Sequence, residues 1–71
     1  MTYEVNGAVE FRMPGYLYNV SATITEIQEL GVMARTGDAV VYVAHQDILR
    51  YYTPLEWRTQ AFENGSVKSH G

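Results

Sequence analysis

The chain contains no cysteine and a single lysine, Lys68. The first absence excludes a disulfide framework and any thiolate-bound metal, and it argues against a small secreted protein, which normally depends on such staples. Cation is scarce as well. Arg12, Arg35, Arg50, Arg58 and Lys68 are scattered along a chain of net charge −3, so the phosphate neutralisation that dominates binding to duplex nucleic acid has no source, and no duplex partner is expected. The eight Asp and Glu residues are equally dispersed, so they do not imitate a ladder of phosphates. No apolar run approaches the about 20 residues that span a bilayer, and Met1-Thr2-Tyr3-Glu4 lacks the basic start and apolar run of a signal peptide. The expectation is a cytoplasmic protein with no membrane contact.

Catalytic and ligand-binding signatures are also missing. There is no Gly-x-Ser-x-Gly elbow and no Gly-rich phosphate loop, and Glu26 and Glu29, three apart, read as solvated charges. His45 and Asp47 are two apart and would share a face on a strand, but two ligands do not make a metal site, and His70 lies far off near the C-terminus. No metal, no cofactor and no enzymatic activity are expected.

With 71 residues, the chain allows one domain that buries only about 60% of its unfolded surface. The residues predict an α+β domain over 1–65, an antiparallel β-meander of four to five strands with a short middle helix and a capped C-terminal helix, followed by a polar tail at 66–71.

The best-punctuated segment is the last. In Tyr51-Tyr52-Thr53-Pro54-Leu55-Glu56-Trp57-Arg58, Thr53 and Glu56 form a capping box, Pro54 occupies a first-turn position that needs no N–H, and Asn64-Gly65 supplies a stop. On a helical wheel Leu55 and Phe62 lie together as the core-facing stripe, with Trp57 about 160° away from Leu55.

Pairing parity orders the first third. A three-residue turn Val5-Asn6-Gly7, closed by a Gly7 bulge, pairs Tyr3 with Val9 and Met1 with Phe11; a tight Pro14-Gly15 turn pairs Met13 with Tyr16, Phe11 with Tyr18 and Val9 with Val20. Met1, Tyr3, Val9, Phe11, Met13, Tyr16, Tyr18, Val20, Ala22 and Ile24 then share the inner face. The capping-box spacings Thr23-x-x-Glu26 and Thr25-x-x-Gln28, with Ile24, Ile27 and Leu30 at helical intervals, predict the middle helix up to Gly31. Ala39 to Ala44 reads as a strand apolar on both faces and therefore central. Ile48 to Tyr52 is open to two readings: a strand, with a His45-Gln46-Asp47 loop pairing Val43 with Leu49 and Val41 with Tyr51, or one helical turn capped by Asp47; Tyr-Tyr-Thr favours the strand.

The six tyrosines, Trp57 and two phenylalanines exceed what a small core requires. Adjacent strand residues face opposite ways, so only one of Tyr51 and Tyr52 can point inward. Tyr, Trp and Arg are enriched at binding hot spots, which makes Arg50, Tyr51, Tyr52, Trp57 and Arg58 the candidate partner-binding residues. The expected function is that of a non-catalytic interaction protein that binds another protein or forms a homodimer. Inhibitors and accessory proteins of viruses and mobile elements belong to this size class, an association of length and composition without a motif. The alternative is a single-stranded nucleic-acid-binding module that stacks bases on sheet aromatics beside arginines.

Overall fold

The computed structural model describes residues 2–60. Five strands form one antiparallel sheet: β1 (Ala8–Phe11), β2 (Val20–Ile27), β3 (Gly31–Thr36), β4 (Ala39–Ala44) and β5 (Arg50–Tyr52), in the order β4-β3-β2-β1-β5. A 3-10 turn, His45–Asp47, separates β4 from β5, and a helix, α1 (54–60), follows β5. The fold is thus broadly α+β. Phe62, the stop at Asn64-Gly65 and the boundary with the 66–71 tail lie outside the described residues.

The link from β4 to β5 dictates the sheet's shape. In a flat sheet the two edge strands would stand four spacings of about 4.8 Å apart. Residues 45–49 would have to be almost fully extended to cross that gap at about 3.3 Å each, yet three of them are wound into a 3-10 turn with a rise of only about 2 Å per residue. The sheet must curl. Accordingly, Val43 of β4 shares one core with Val9 and Phe11 of β1, Ala22 and Ile24 of β2, and Val32 and Ala34 of β3. Tyr3, Met13, Val20, Val41, Ile48 and Tyr51 pack around it.

Parity assigned Val9, Phe11, Val20, Ala22 and Ile24 to this face, but the register is displaced by two residues. Phe11 pairs with Val20 and Val9 with Ala22. A slip of two preserves every face, so alternation alone does not detect it. Its consequence is that Tyr16, Leu17 and Tyr18, of which the two tyrosines were expected inside, stand exposed in a loop between Phe11 and Val20. The Pro14-Gly15 turn closes on itself within that loop, with Tyr16 N–H donating to the Met13 carbonyl and Gly15 at φ +84°, where the second central residue of a type II turn requires glycine.

The N-terminal strand is replaced by a turn. Gly7 N–H donates to the Glu4 carbonyl, and it is Asn6, at φ 78°, that takes the left-handed conformation expected of Gly7. Gly7 serves a different purpose. A Cβ there would lie 2.6 Å from the Tyr52 carbonyl oxygen, because β5 and not the N-terminus runs beside β1, pairing Val9 with Tyr51 and Ala8 with Tyr52. Tyr3 still reaches the core, stacked on His45 and edge-on to Tyr51 at 5.2 Å.

The expected middle helix is a strand. β2 continues through Ile27 into a hairpin with β3, with a bulge between Ile24 and Glu26. The extra residue places Ile24, opposite Ala34, and Ile27, opposite Val32, on one face although they are three apart. A helical interval in the sequence is here the trace of a β-bulge. Ala39 to Ala44 is an edge strand instead of a central one, and its predicted hairpin with Ile48 to Tyr52 does not form, since β5 leaves for the opposite edge. The second apolar face that suggested a central position, Val40 and Tyr42, is exposed.

Candidate functional site

Alternation along β5 separates the two tyrosines as expected. Tyr51 points into the core against Tyr3, and its phenol oxygen accepts a hydrogen bond from the Glu4 N–H at 3.1 Å. Burial pushes the Tyr51 phenol above its ordinary pKa, opposed by that hydrogen bond and assisted by the negative charge of Glu4. Tyr52 takes the outer face. The Arg50 guanidinium lies 4.8 Å above its ring, a cation–π arrangement, and Trp57 of α1 approaches it at 5.7 Å.

α1 is placed by its first turn. Glu56 N–H donates to Thr53 Oγ1 at 3.1 Å, Thr53 N–H donates to Glu56 Oε1 at 2.9 Å, and Trp57 N–H donates to the Thr53 carbonyl at 2.8 Å. The Glu56 carboxyl is held below the usual carboxylate range, first by the Thr53 backbone N–H and then by the Thr53 hydroxyl, with Arg50 adding the smallest share. So anchored, the helix turns Trp57 toward the sheet, where its indole Nε1–H donates to Thr23 Oγ1 at 3.2 Å.

Tyr52, Ala8 and Thr23 are successive cross-strand neighbours on the outer face. The indole contacts the first and third of them, so it lies over the second. Ala8 is completely buried as a result, and its small side chain leaves the space the indole fills. The wheel that placed Leu55 in the core is therefore rotated: Leu55 is 64% exposed, and the sheet-facing residue is Trp57. With Arg50, Tyr52, Glu56, Thr59 and Gln60, Leu55 borders a shallow concavity of about 380 Å³.

Of the five residues singled out, Arg50, Tyr52 and Trp57 are thus brought into one patch, Arg58 stands exposed on the same helix, and Tyr51 lies on the opposite face. Sequence reasoning missed the loop of Tyr16, Leu17 and Tyr18, with Leu17 81% and Tyr18 78% exposed; an uninterrupted odd-even pattern gave no sign of where pairing stops. His45 is engaged in packing. Its Nε2 lies 3.0 Å from the Glu29 carbonyl, which makes that nitrogen the donor. Among the described residues no cluster of three potential metal ligands occurs, and no helix is long and apolar enough to cross a membrane. Compared with known proteins, the chain matches no family, no curated protein and no solved structure.

Proposed function

We propose that this chain is a non-catalytic interaction protein that binds another protein through the outer corner where β5 meets α1, with Arg50, Tyr52, Trp57 and Arg58 as anchors. The observation that carries this reading is the stack in which Arg50 lies on Tyr52 and Tyr52 abuts Trp57. These are the residue types that dominate interface energies, and the capping box and the Trp57–Thr23 hydrogen bond hold them in place before any partner arrives. The concavity beside them offers a partner side chain an apolar wall in Leu55 and charged ends in Arg50 and Glu56. Tyr51 drops out of the proposed surface because it serves the core.

The test is capture of binding partners by the immobilised chain, compared between wild type, Arg50→Ala and Arg58→Ala. Both side chains are exposed, so neither change should disturb folding. A captured partner should lose roughly 2 kcal/mol or more of affinity. Unchanged affinity in both variants would remove the corner from consideration.

A second reading rests on the same stack. An exposed arginine over a sheet tyrosine is a platform on which a base can stack, and Arg12 opens the exposed loop that carries Tyr16 and Tyr18. Single-stranded nucleic acid would then be the partner. Anisotropy of a labelled oligothymidylate separates the two: binding that falls steeply between about 50 and 200 mM salt favours this reading, and none at the lower salt dismisses it.

A further inference from the structure

Among the described residues, β4 has a neighbour on one side only. Its sequence, Ala39-Val40-Val41-Tyr42-Val43-Ala44, contains no charge and no proline, and its register with β3 is unbroken. Charge, proline and bulge, the devices by which a strand's own sequence blunts a sheet edge, are thus all missing from β4. The opposite edge, β5, is three residues long and begins with an arginine.

The ladder determines which backbone groups face outward. His45 N–H donates to the Leu30 carbonyl at 3.0 Å, so residue 45 turns its polar groups toward β3. Alternate residues do the same in an antiparallel ladder. Val43, Val41 and Ala39 therefore bond inward, and Val40, Tyr42 and Ala44 present N–H and C=O to the open side.

We propose that this edge pairs, antiparallel and about a two-fold axis, with the same edge of a second copy of this chain, Tyr42 facing Tyr42. In that register Val40 lies opposite Ala44 of the second copy and Ala44 opposite its Val40, so every outward-facing residue of β4 enters a hydrogen-bonded pair and exchanges both of its bonds. A shift of one residue would set core-facing side chains against outward-facing ones. A shift of two would leave one of the three residues without a partner in the strand.

The side chains agree with the backbone. Val40 is 51% and Tyr42 47% exposed on the outer face. Val40 of the second copy, standing opposite Ala44, meets a concavity of about 340 Å³ lined by Leu30, Tyr42, Ala44, His45 and Gln46. Each copy thus supplies a knob and a hollow, as a two-fold interface requires. Two chains of net charge −3 meet along an uncharged segment, and Asp38 and Asp47 fall beyond the paired residues. An edge of six residues buries less than the about 1,200 Å² of a standard interface, so the dimer is a weak one, forming at roughly 0.1–1 mM.

Sedimentation of the full chain from roughly 10 μM to 2 mM should show the 8.0 kDa species giving way to a dimer across the range set by that affinity. Val40→Lys should weaken association about tenfold or more by placing a charge at the joint, while Leu17→Lys, the same change at an exposed position outside β4, should leave it unaltered. In a mixture of labelled and unlabelled chain, an NOE should join Val41 Hα to Val43 Hα of the other copy. A monomer throughout the concentration range overturns the proposal, and so does a dimer that survives Val40→Lys or is lost with Leu17→Lys. Should Val40→Lys not fold, the NOE, which needs only the wild-type chain, decides, and its absence from a sample that sediments as a dimer places the interface elsewhere.

Discussion

On the concave face of the sheet Val9, Ile24 and Val32 are completely covered by one another and by a ring of tyrosines and aliphatic residues, whereas on the convex face the side chain covered as fully is Ala8, and a single indole covers it. The two coverings obey different rules. The concave side is close-packed, so each methylene has neighbours on all sides and its removal leaves a void. The convex side is a single layer positioned by a capping box and one side-chain hydrogen bond, so it can be perturbed locally while the core persists. That division places stability on one face and leaves Arg50, Arg58 and the outer side chains of β4, Val40 and Tyr42, exposed.

The largest expected effect is on the concave side. Ile24→Ala removes a completely buried side chain from the centre of the core and should cost about 2 to 5 kcal/mol. In a domain of this size that is most of the available stability, and denaturant unfolding should show a substantially unfolded population even without denaturant. A loss under 1 kcal/mol would mean that the two faces are not as unequal as their packing indicates.

Ala8→Leu attacks the convex side where the indole lies. The added atoms have no space beneath Trp57, so the helix must lift or the strand must shift, at about 1 to 3 kcal/mol. The spectroscopic signature should be a red-shifted Trp57 emission as the ring moves into water. A stability loss with unchanged emission would show that Trp57 is not what covers Ala8.

Comparison of the two faces also explains what the sequence could and could not reveal. The division between Tyr51 and Tyr52, the Thr53–Glu56 capping pair and the inner positions of Val9, Phe11, Ala22 and Ile24 were legible because each depends on local geometry, on alternation or on a fixed spacing. The failures are non-local. A slip of two residues at Phe11 leaves parity intact, a bulge at Thr25 counterfeits a helical interval, and the return of β5 to β1 depends on how far the sheet curls, which no local pattern encodes. For the site, residue types pointed to the corner, but the partnership of Arg50 with Tyr52 and of Trp57 with Thr23 required the register of three strands.

A smaller effect is expected at the first turn of α1. Thr53→Ala removes the hydroxyl that accepts the Glu56 N–H and should cost about 1 kcal/mol. The partner carboxylate provides a pH-dependent companion. Because its folded pKa is lowered, the stabilisation from Glu56 is present above the ordinary carboxylate range and is lost as pH falls through the lowered folded value. Wild type should therefore exceed Glu56→Gln at neutral pH, and the gap should close in acid as the protonated carboxyl comes to resemble the amide. A gap that persists at low pH would assign the difference to something other than charge.

The smallest effect should be at Leu55, the residue that a helical wheel marks as core. It lies on the solvent side of α1 at the border of the concavity, so Leu55→Ala leaves no internal void and substitutes the better helix former. The change should stay within about 0.5 kcal/mol in denaturant unfolding. Its value lies in the contrast with Trp57, two residues along the same helix: if truncating Leu55 costs as much as truncating Trp57, the helix is rotated from the orientation described, Ala8 must be covered by another group, and the stack of Arg50, Tyr52 and Trp57 loses the platform that holds it in place.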